Sequence, residues 1–151
     1  MLDVELLLLD PRLAEWGFPH WGSDLAAGLD LFACLAEPLV LPPQAPAQLV
    51  PAGFAMRIGD PFWAAMVYPR SGQGHKRGLV MGNAVGVIDP DYEGQVMISA
   101  WNRNPDTALT IEPGERIAQM VFTRVVRPSF RVVERFATPS RRGAGGFGST
   151  G

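Results

Sequence analysis

At 151 residues, with 47% apolar and 19% charged side chains, the chain has the size of one domain and the balance of a globular protein, which excludes wholesale disorder. A formal net charge of −2 excludes a general nucleic-acid binder that works through a basic surface. The 17 glycines and 14 prolines, about a fifth of the residues, exclude a helix bundle, because Pro removes a helix donor and Gly weakens helix interiors.

Short apolar runs, each stopped by turn residues, follow one another along the chain. The first is residues 4–9; its leucines lie between Glu5 and Asp10 with no leading positive charge, and read as neither signal peptide nor membrane span. Residues 29–35 follow Gly28 and contain the single cysteine, Cys34, which excludes an intrachain disulfide and a Cys-based zinc site. His20 and His75 are far apart in sequence, so a His-rich metal site is not expected, and the chain reads as a protein of the reducing cytoplasm. Phe54, Met56 and Ile58 alternate with smaller or charged residues and stop at Gly59-Asp60-Pro61. Residues 63–68 stop at Pro69, and residues 73–78 have room for one short helical turn. Val96, Ile98 and Ala100 alternate with Gln95, Met97, Ser99 and Trp101, the period of two of a half-buried strand. Leu109 and Ile111 lead into the turn Glu112-Pro113-Gly114-Glu115, residues 117–126 are almost continuously apolar, and Phe130, Val132 and Val133 make the last run. No stretch carries the period of an amphipathic helix. The pattern predicts an all-β sandwich, barrel or jelly roll in a single domain over residues 1–141.

The C-terminal end differs in character. Residues 124–142 hold six arginines against one acid, Glu134, and residues 143–151 read GAGGFGSTG. Such a segment buries too little apolar surface to fold alone, so residues 142–151 are expected to be a flexible Gly-rich tail. By composition alone that is a frayed end. Its contents also suit a lid: Arg142 can pair with phosphate, Ser149 and Thr150 bring hydroxyls, Phe147 brings a stacking face, and glycines let backbone N–H groups approach an anion. It is not a Walker loop, since it has no lysine and no helix follows.

Four further segments carry chemistry. In PRSG, residues 69–72, Arg70 and Ser71 with the N–H groups around Gly72 can nest a phosphate, or simply end a strand. In GNAVGVIDPDYEG, residues 82–94, Asp89 either caps its own turn or stands ready to activate water beside Tyr92 and Asn83, whose amide can read a pyrimidine edge. AGLDLFA, residues 27–33, sets Asp30 inside an apolar strand, which costs energy unless the acid is paired. GERIAQMVF, residues 114–122, sets Arg116 and Gln119 into a strand that is otherwise core-like.

In this order the five blocks AGLDLFA, PRSG, GVIDPDYEG, GERIAQMVF and RGAGGFGSTG closely resemble the five motifs of the trimeric deoxyuridine triphosphate nucleotidohydrolases, the dUTPases, in their bacterial form. The resemblance spans residues 27–151, with one departure: Gln73 stands where the second motif usually continues with Leu. It implies a jelly-roll-like β-barrel and a homotrimer with active sites shared between subunits. It further implies hydrolysis of dUTP to dUMP and pyrophosphate with Mg²⁺ on the triphosphate, supplying dUMP for thymidylate synthesis and limiting uracil in DNA. No nucleic-acid or membrane partner is implied.

The resemblance also assigns roles. Asp89 would activate the water that attacks the α-phosphorus. Asn83, with main-chain groups of Val87 and Ile88, would read uracil; Tyr92 would lie under the deoxyribose and leave no room for a 2′-hydroxyl; Met97 would line the same pocket. Arg70, Ser71, Gly72 and Gln119 would bind phosphates, and Asp30 would hold Mg²⁺ through water. Arg142, Phe147, Gly148, Ser149 and Thr150 would close over the nucleotide, with Arg142 at the γ-phosphate and Phe147 on uracil. Arg116 reads as structural. Two alternatives share the fold: a nucleotide-binding regulator without turnover, and a deoxycytidine triphosphate deaminase. The retained Asp89 and tail speak against the first, and the full RGAGGFGSTG tail against the second.

Overall fold

The computed structural model describes residues 2–138, 140, 143 and 144, and among them ten strands carry the fold. In chain order these are β1 (Glu5–Leu8), β2 (Leu29–Phe32), β3 (Leu39–Leu41), β4 (Gln48–Arg57), β5 (Trp63–Pro69), β6 (Leu79–Met81), β7 (Gly86–Ile88), β8 (Gln95–Asn102), β9 (Leu109–Ile111) and β10 (Arg116–Arg124). One helical turn, α1 (Arg12–Glu15), follows β1, and a single π-helical turn, Gln73–Arg77, follows β5. Two four-stranded sheets, in the orders β1-β4-β8-β6 and β2-β10-β5-β7, and the pair β3-β9 enclose the interior. Every pairing is antiparallel. This is an all-β architecture, as the short, punctuated runs predict, and of the jelly-roll-like kind that the resemblance implies.

Strand β8 shows how the pattern becomes packing. Val96, Ile98 and Ala100 turn inward and are at most 1% exposed, while Met97 points out. Asn102, next on the inner face, is buried but satisfied: its amide donates to the carbonyls of Leu41 and Thr107 at 3.0 and 2.8 Å and its oxygen accepts the Asn104 N–H at 3.0 Å. The core draws on all three sheets, with Leu31, Met120, Phe54 and Ile111 nearly or fully enclosed. Phe18, in the loop before β2, stacks on Phe54 of β4 at 4.7 Å and so ties the loop to the far sheet. Each such side chain stabilises the fold by roughly 1.5–3 kcal/mol.

Strand β4 carries an irregularity between Pro51 and Ala55, where its register against β8 shifts. Gly53 sits in this bulge at φ +77°, and a Cβ there would overlap Cys34 Sγ and press on Asp10 and Leu13. Gly53→Ala is therefore expected to destabilise the protein by ~1–3 kcal/mol through backbone strain and crowding. Thermal or urea unfolding measures this, and an unchanged midpoint would show that the bulge accommodates a side chain. Cys34 itself is 8% exposed, and burial pushes its thiol to about 11, so at neutral pH it is a packed, protonated group.

Two local expectations differ from the structure. The turn α1 is unforeseen, because one helical turn is too short to show a period. It forms because Asp10 accepts the Arg12 main-chain N–H at 3.0 Å and pairs with the guanidinium at 2.6 Å, while Arg12 Nη1 donates to the Leu35 carbonyl at 2.8 Å. The same guanidinium holds the Asp10 carboxyl below its ordinary range. The last apolar run does not become a strand. Phe130 and Val132 are 87% and 97% exposed, because no sheet edge among the described residues pairs with them. Among the described residues, no helix is long and apolar enough to cross a membrane.

Candidate active site

Strand β7 is the outermost strand of its sheet, paired only with β5, so its outer side presents main-chain N–H and C=O groups without a strand partner. The turn after it is anchored twice: the Asp89 carbonyl accepts the Tyr92 N–H at 3.2 Å, and the carbonyl of buried Pro90 accepts the Gly59 N–H at 2.9 Å. The Asp89 carboxylate itself is exposed and enters no ion pair among the described residues. Tyr92 Oη donates to the Gln95 carbonyl at 3.0 Å, which folds the ring back over Gly94. A Cβ at residue 94 would collide with that ring, so the close approach depends on glycine. Asn83, Val87, Ile88, Asp89, Tyr92 and Met97, with Val67 and Val96, line one concavity of about 200 Å³. It combines apolar walls, an amide, a free strand edge and an available carboxylate.

A second concavity, of about 490 Å³, is lined by Gly28, Asp30, Arg70, Ser71, Gly72 and Gln119 together with small and apolar neighbours. Asp30 on β2 and Gln119 on β10 are register partners, and Gln119 also faces Tyr68 of β5. Arg70 leaves the end of β5 and reaches back, donating Nε to Asp30 Oδ1 at 2.8 Å and Nη1 to the Arg116 carbonyl at 3.2 Å. Gln119 donates to the Pro69 carbonyl at 3.0 Å and so steadies the turn that presents Arg70 and Ser71. Asp30 is 5% exposed, and its pairing with Arg70 and Arg116 answers the cost of an acid in an apolar strand. The two concavities share no lining residue. The first lies on the β7 side of β5, and the second spans β2, β10 and the turn that follows β5.

Gln73 is polar for a local reason. Its amide donates to Glu115 Oε1 at 3.0 Å and to the Arg116 carbonyl at 3.4 Å, and its oxygen accepts from Arg77 at 3.1 Å. Arg77 also pairs with Glu115 and donates to the Thr110 carbonyl. The network clips the π-helical turn after Arg70 to the turn between β9 and β10.

For a divalent metal, Asp30 is the carboxylate the sequence nominates. Its two oxygens already meet donors from Arg70, Arg116 and His20, which leaves about one of the four lone-pair sites of a carboxylate. Among the described residues no three His, Cys, Asp or Glu side chains converge. The donor set fits a magnesium ion that arrives on phosphate oxygens with its own waters, and not one held by the chain alone. Arg142, Phe147, Gly148, Ser149 and Thr150 lie outside the described residues. Sequence reasoning overlooked His20, which it weighed only as a metal ligand, because its contact with Asp30 is made through the fold and leaves no mark in the local sequence.

The dUTPase family model matches residues 14–151. A deoxyuridine 5′-triphosphate nucleotidohydrolase of Albidiferax ferrireducens is 54% identical over 151 residues, covering 100% of this chain and 99% of that protein. Its counterpart from Methylococcus capsulatus is 55% identical over 152 residues with the same coverage. Among solved structures, a variant of the dUTPase of Staphylococcus bacteriophage 80alpha with dUpNHpp is similar with a TM-score of 0.86 and 28% identity, over 100% of this chain and 99% of that one. A fold of this kind, a match over nearly the whole length and relatives more than half identical from end to end have one consequence: the chain belongs to the dUTPase family.

Proposed function

We propose that the protein is a dUTP diphosphatase, hydrolysing dUTP to dUMP and pyrophosphate. The observation that carries this reading is the convergence of Asn83, Asp89, Tyr92 and Met97 on one small concavity with the outer edge of β7. Uracil is read there by the Asn83 amide and the main chain of Val87 and Ile88. Asp89 orients a water and takes its proton as the water oxygen bonds to the α-phosphorus and the bond to the bridging oxygen of pyrophosphate breaks. A positioned base of this kind contributes ~10²–10⁴ in rate. Arg70, Ser71, Gly72 and Gln119 bind phosphates and lower the repulsion a nucleophile meets. Magnesium enters as part of the substrate, Mg–dUTP, and neutralises phosphate charge; Asp30 faces its waters. Arg142, Phe147, Gly148, Ser149 and Thr150 close the site.

The working form is a homotrimer whose sites are completed between subunits. The separation of the base and phosphate concavities within one chain supports this, as do the exposed leucines Leu7 and Leu49, at 61% and 65%, and the unpaired apolar residues after β10. Light scattering is expected to give three times 16.4 kDa. A lone, buried thiol suits the cytoplasm. Incubation with dUTP, dCTP and UTP, following pyrophosphate and base release, tests the reading: pyrophosphate from dUTP alone is expected. Deamination of dCTP would point to the deaminase alternative, and absence of turnover to the regulator; the named relatives favour neither.

Discrimination against UTP is expected to arise at Tyr92: its ring is fixed by the hydrogen bond to the Gln95 carbonyl, and packed under the sugar it penalises an added hydroxyl by overlap and an unsatisfied donor. Tyr92→Ala should raise UTP hydrolysis relative to dUTP. An unchanged ratio of specificity constants would place the discrimination elsewhere.

A further inference from the structure

We infer that His20 is a positioning residue of the phosphate half-site, acting through Asp30 on Arg70; the inference rests on the phosphate reading of that concavity given above. Asp30 is itself buried, at 5% exposed, so water offers its carboxylate little. Oδ1 accepts from Arg70 Nε at 2.8 Å. Oδ2 accepts from Arg116 Nη1 at 3.1 Å and meets His20 Nδ1 at the same distance. Arg116 Nη1 in turn lies 3.4 Å from both ring nitrogens of His20. The main chain holds the ring in place, for the Asp30 N–H donates to the His20 carbonyl at 2.9 Å and Trp21 bridges to Leu29. A neutral imidazole protonated at Nδ1 satisfies the arrangement: it donates to Oδ2 and leaves the Nε2 lone pair towards Arg116.

The consequence falls on Arg70. Its Nε and Nη1 are committed to Asp30 and the Arg116 carbonyl, which fixes the guanidinium plane and leaves Nη2 for a phosphate oxygen. Asp30 achieves this only while its own charge is quenched, since a bare carboxylate beside a triphosphate repels it. Arg116 supplies the charge at Oδ2 and His20 a second donor there, so Oδ1 stays aimed at Arg70. Removing the imidazole leaves Oδ2 with one donor and frees the carboxylate to turn. His20 is partly exposed, with 37% of its side chain accessible, and contributes little to the core, so its role is separable from folding.

Steady-state dUTP hydrolysis and melting temperature, measured on the wild type, His20→Ala, His20→Asn, Arg70→Ala and the double variant His20→Ala/Arg70→Ala, test the inference. His20→Ala is expected to raise KM about three- to tenfold with kcat within about twofold, the pattern of lost uniform binding, and with little change in melting temperature. His20→Asn, whose amide N–H replaces the Nδ1 donor, should recover most of that loss. The double variant should be no worse than Arg70→Ala, because His20 acts only through Arg70. An unchanged KM in His20→Ala, equal losses in the Ala and Asn variants, or effects that multiply in the double variant would each overturn the inference and leave the phosphate reading standing, provided Arg70→Ala raises KM. If Arg70→Ala leaves KM unchanged, the phosphate reading falls and the inference with it.

Discussion

Asp89→Asn is expected to fold as the wild type does, to bind a non-hydrolysable dUTP analogue with similar affinity, and to turn over at least ~10²-fold more slowly. The substitution keeps the size and planarity of the side chain, and the turn that carries it does not depend on the carboxylate. That turn is held by main-chain contacts from Tyr92 to Asp89 and from Gly59 to Pro90. What Asn lacks is the ability to take a proton from water at neutral pH. Pyrophosphate release gives kcat and calorimetry gives the dissociation constant. Full turnover in a folded variant would remove Asp89 from the mechanism, while a large loss of binding would make it a substrate-holding group instead.

Deletion of residues 142–151 is the second large effect. It takes away Arg142, Phe147, Ser149, Thr150 and five glycines, and none of the buried core among the described residues. Melting temperature should change little. Turnover should fall at least ~10-fold, because a site left open to water screens the charges that act on the triphosphate and loses one arginine at the leaving pyrophosphate. Phe147→Ala alone should produce part of the same loss. Thermal unfolding and steady-state hydrolysis on the truncated protein decide the matter: unaffected hydrolysis would reduce the segment to a frayed end.

Much of this was legible in the chain itself. The period of two over residues 95–101 declared a strand and its buried face, and β8 buries Val96, Ile98 and Ala100 as that alternation requires. The acid in AGLDLFA announced a need for a cation, and the strand places Asp30 against two guanidinium groups. Short elements were harder to see. Strands β3, β6 and β7 have three residues each, too few for a period to show; β6 and β7 form on the edges of the longer β8 and β5, and β3 on the equally short β9. Residues 130–133 have the composition of a strand but pair with no edge among the described residues, and stay exposed.

The local sequence by itself determined residue chemistry and local conformation: which segments extend, where they stop, which residues are acids, amides or arginines, and, through five ordered motifs, which family the chain resembles. Only the tertiary structure decided company. Arg116 lies 86 residues from Asp30 and His20 ten, yet all three meet with Arg70 around one carboxylate. No spacing rule predicts that meeting, because it depends on the register of β10 against β2, which the inward and outward alternation of both strands sets together. The same holds for the division of the candidate site. The residues proposed to read the base and those proposed to bind phosphate interleave along the chain, but the strand order β2-β10-β5-β7 gathers them in two separate concavities. Strand order arises from which edges bury the most apolar surface once the whole chain is packed, a property of all the segments at once and of none of them alone.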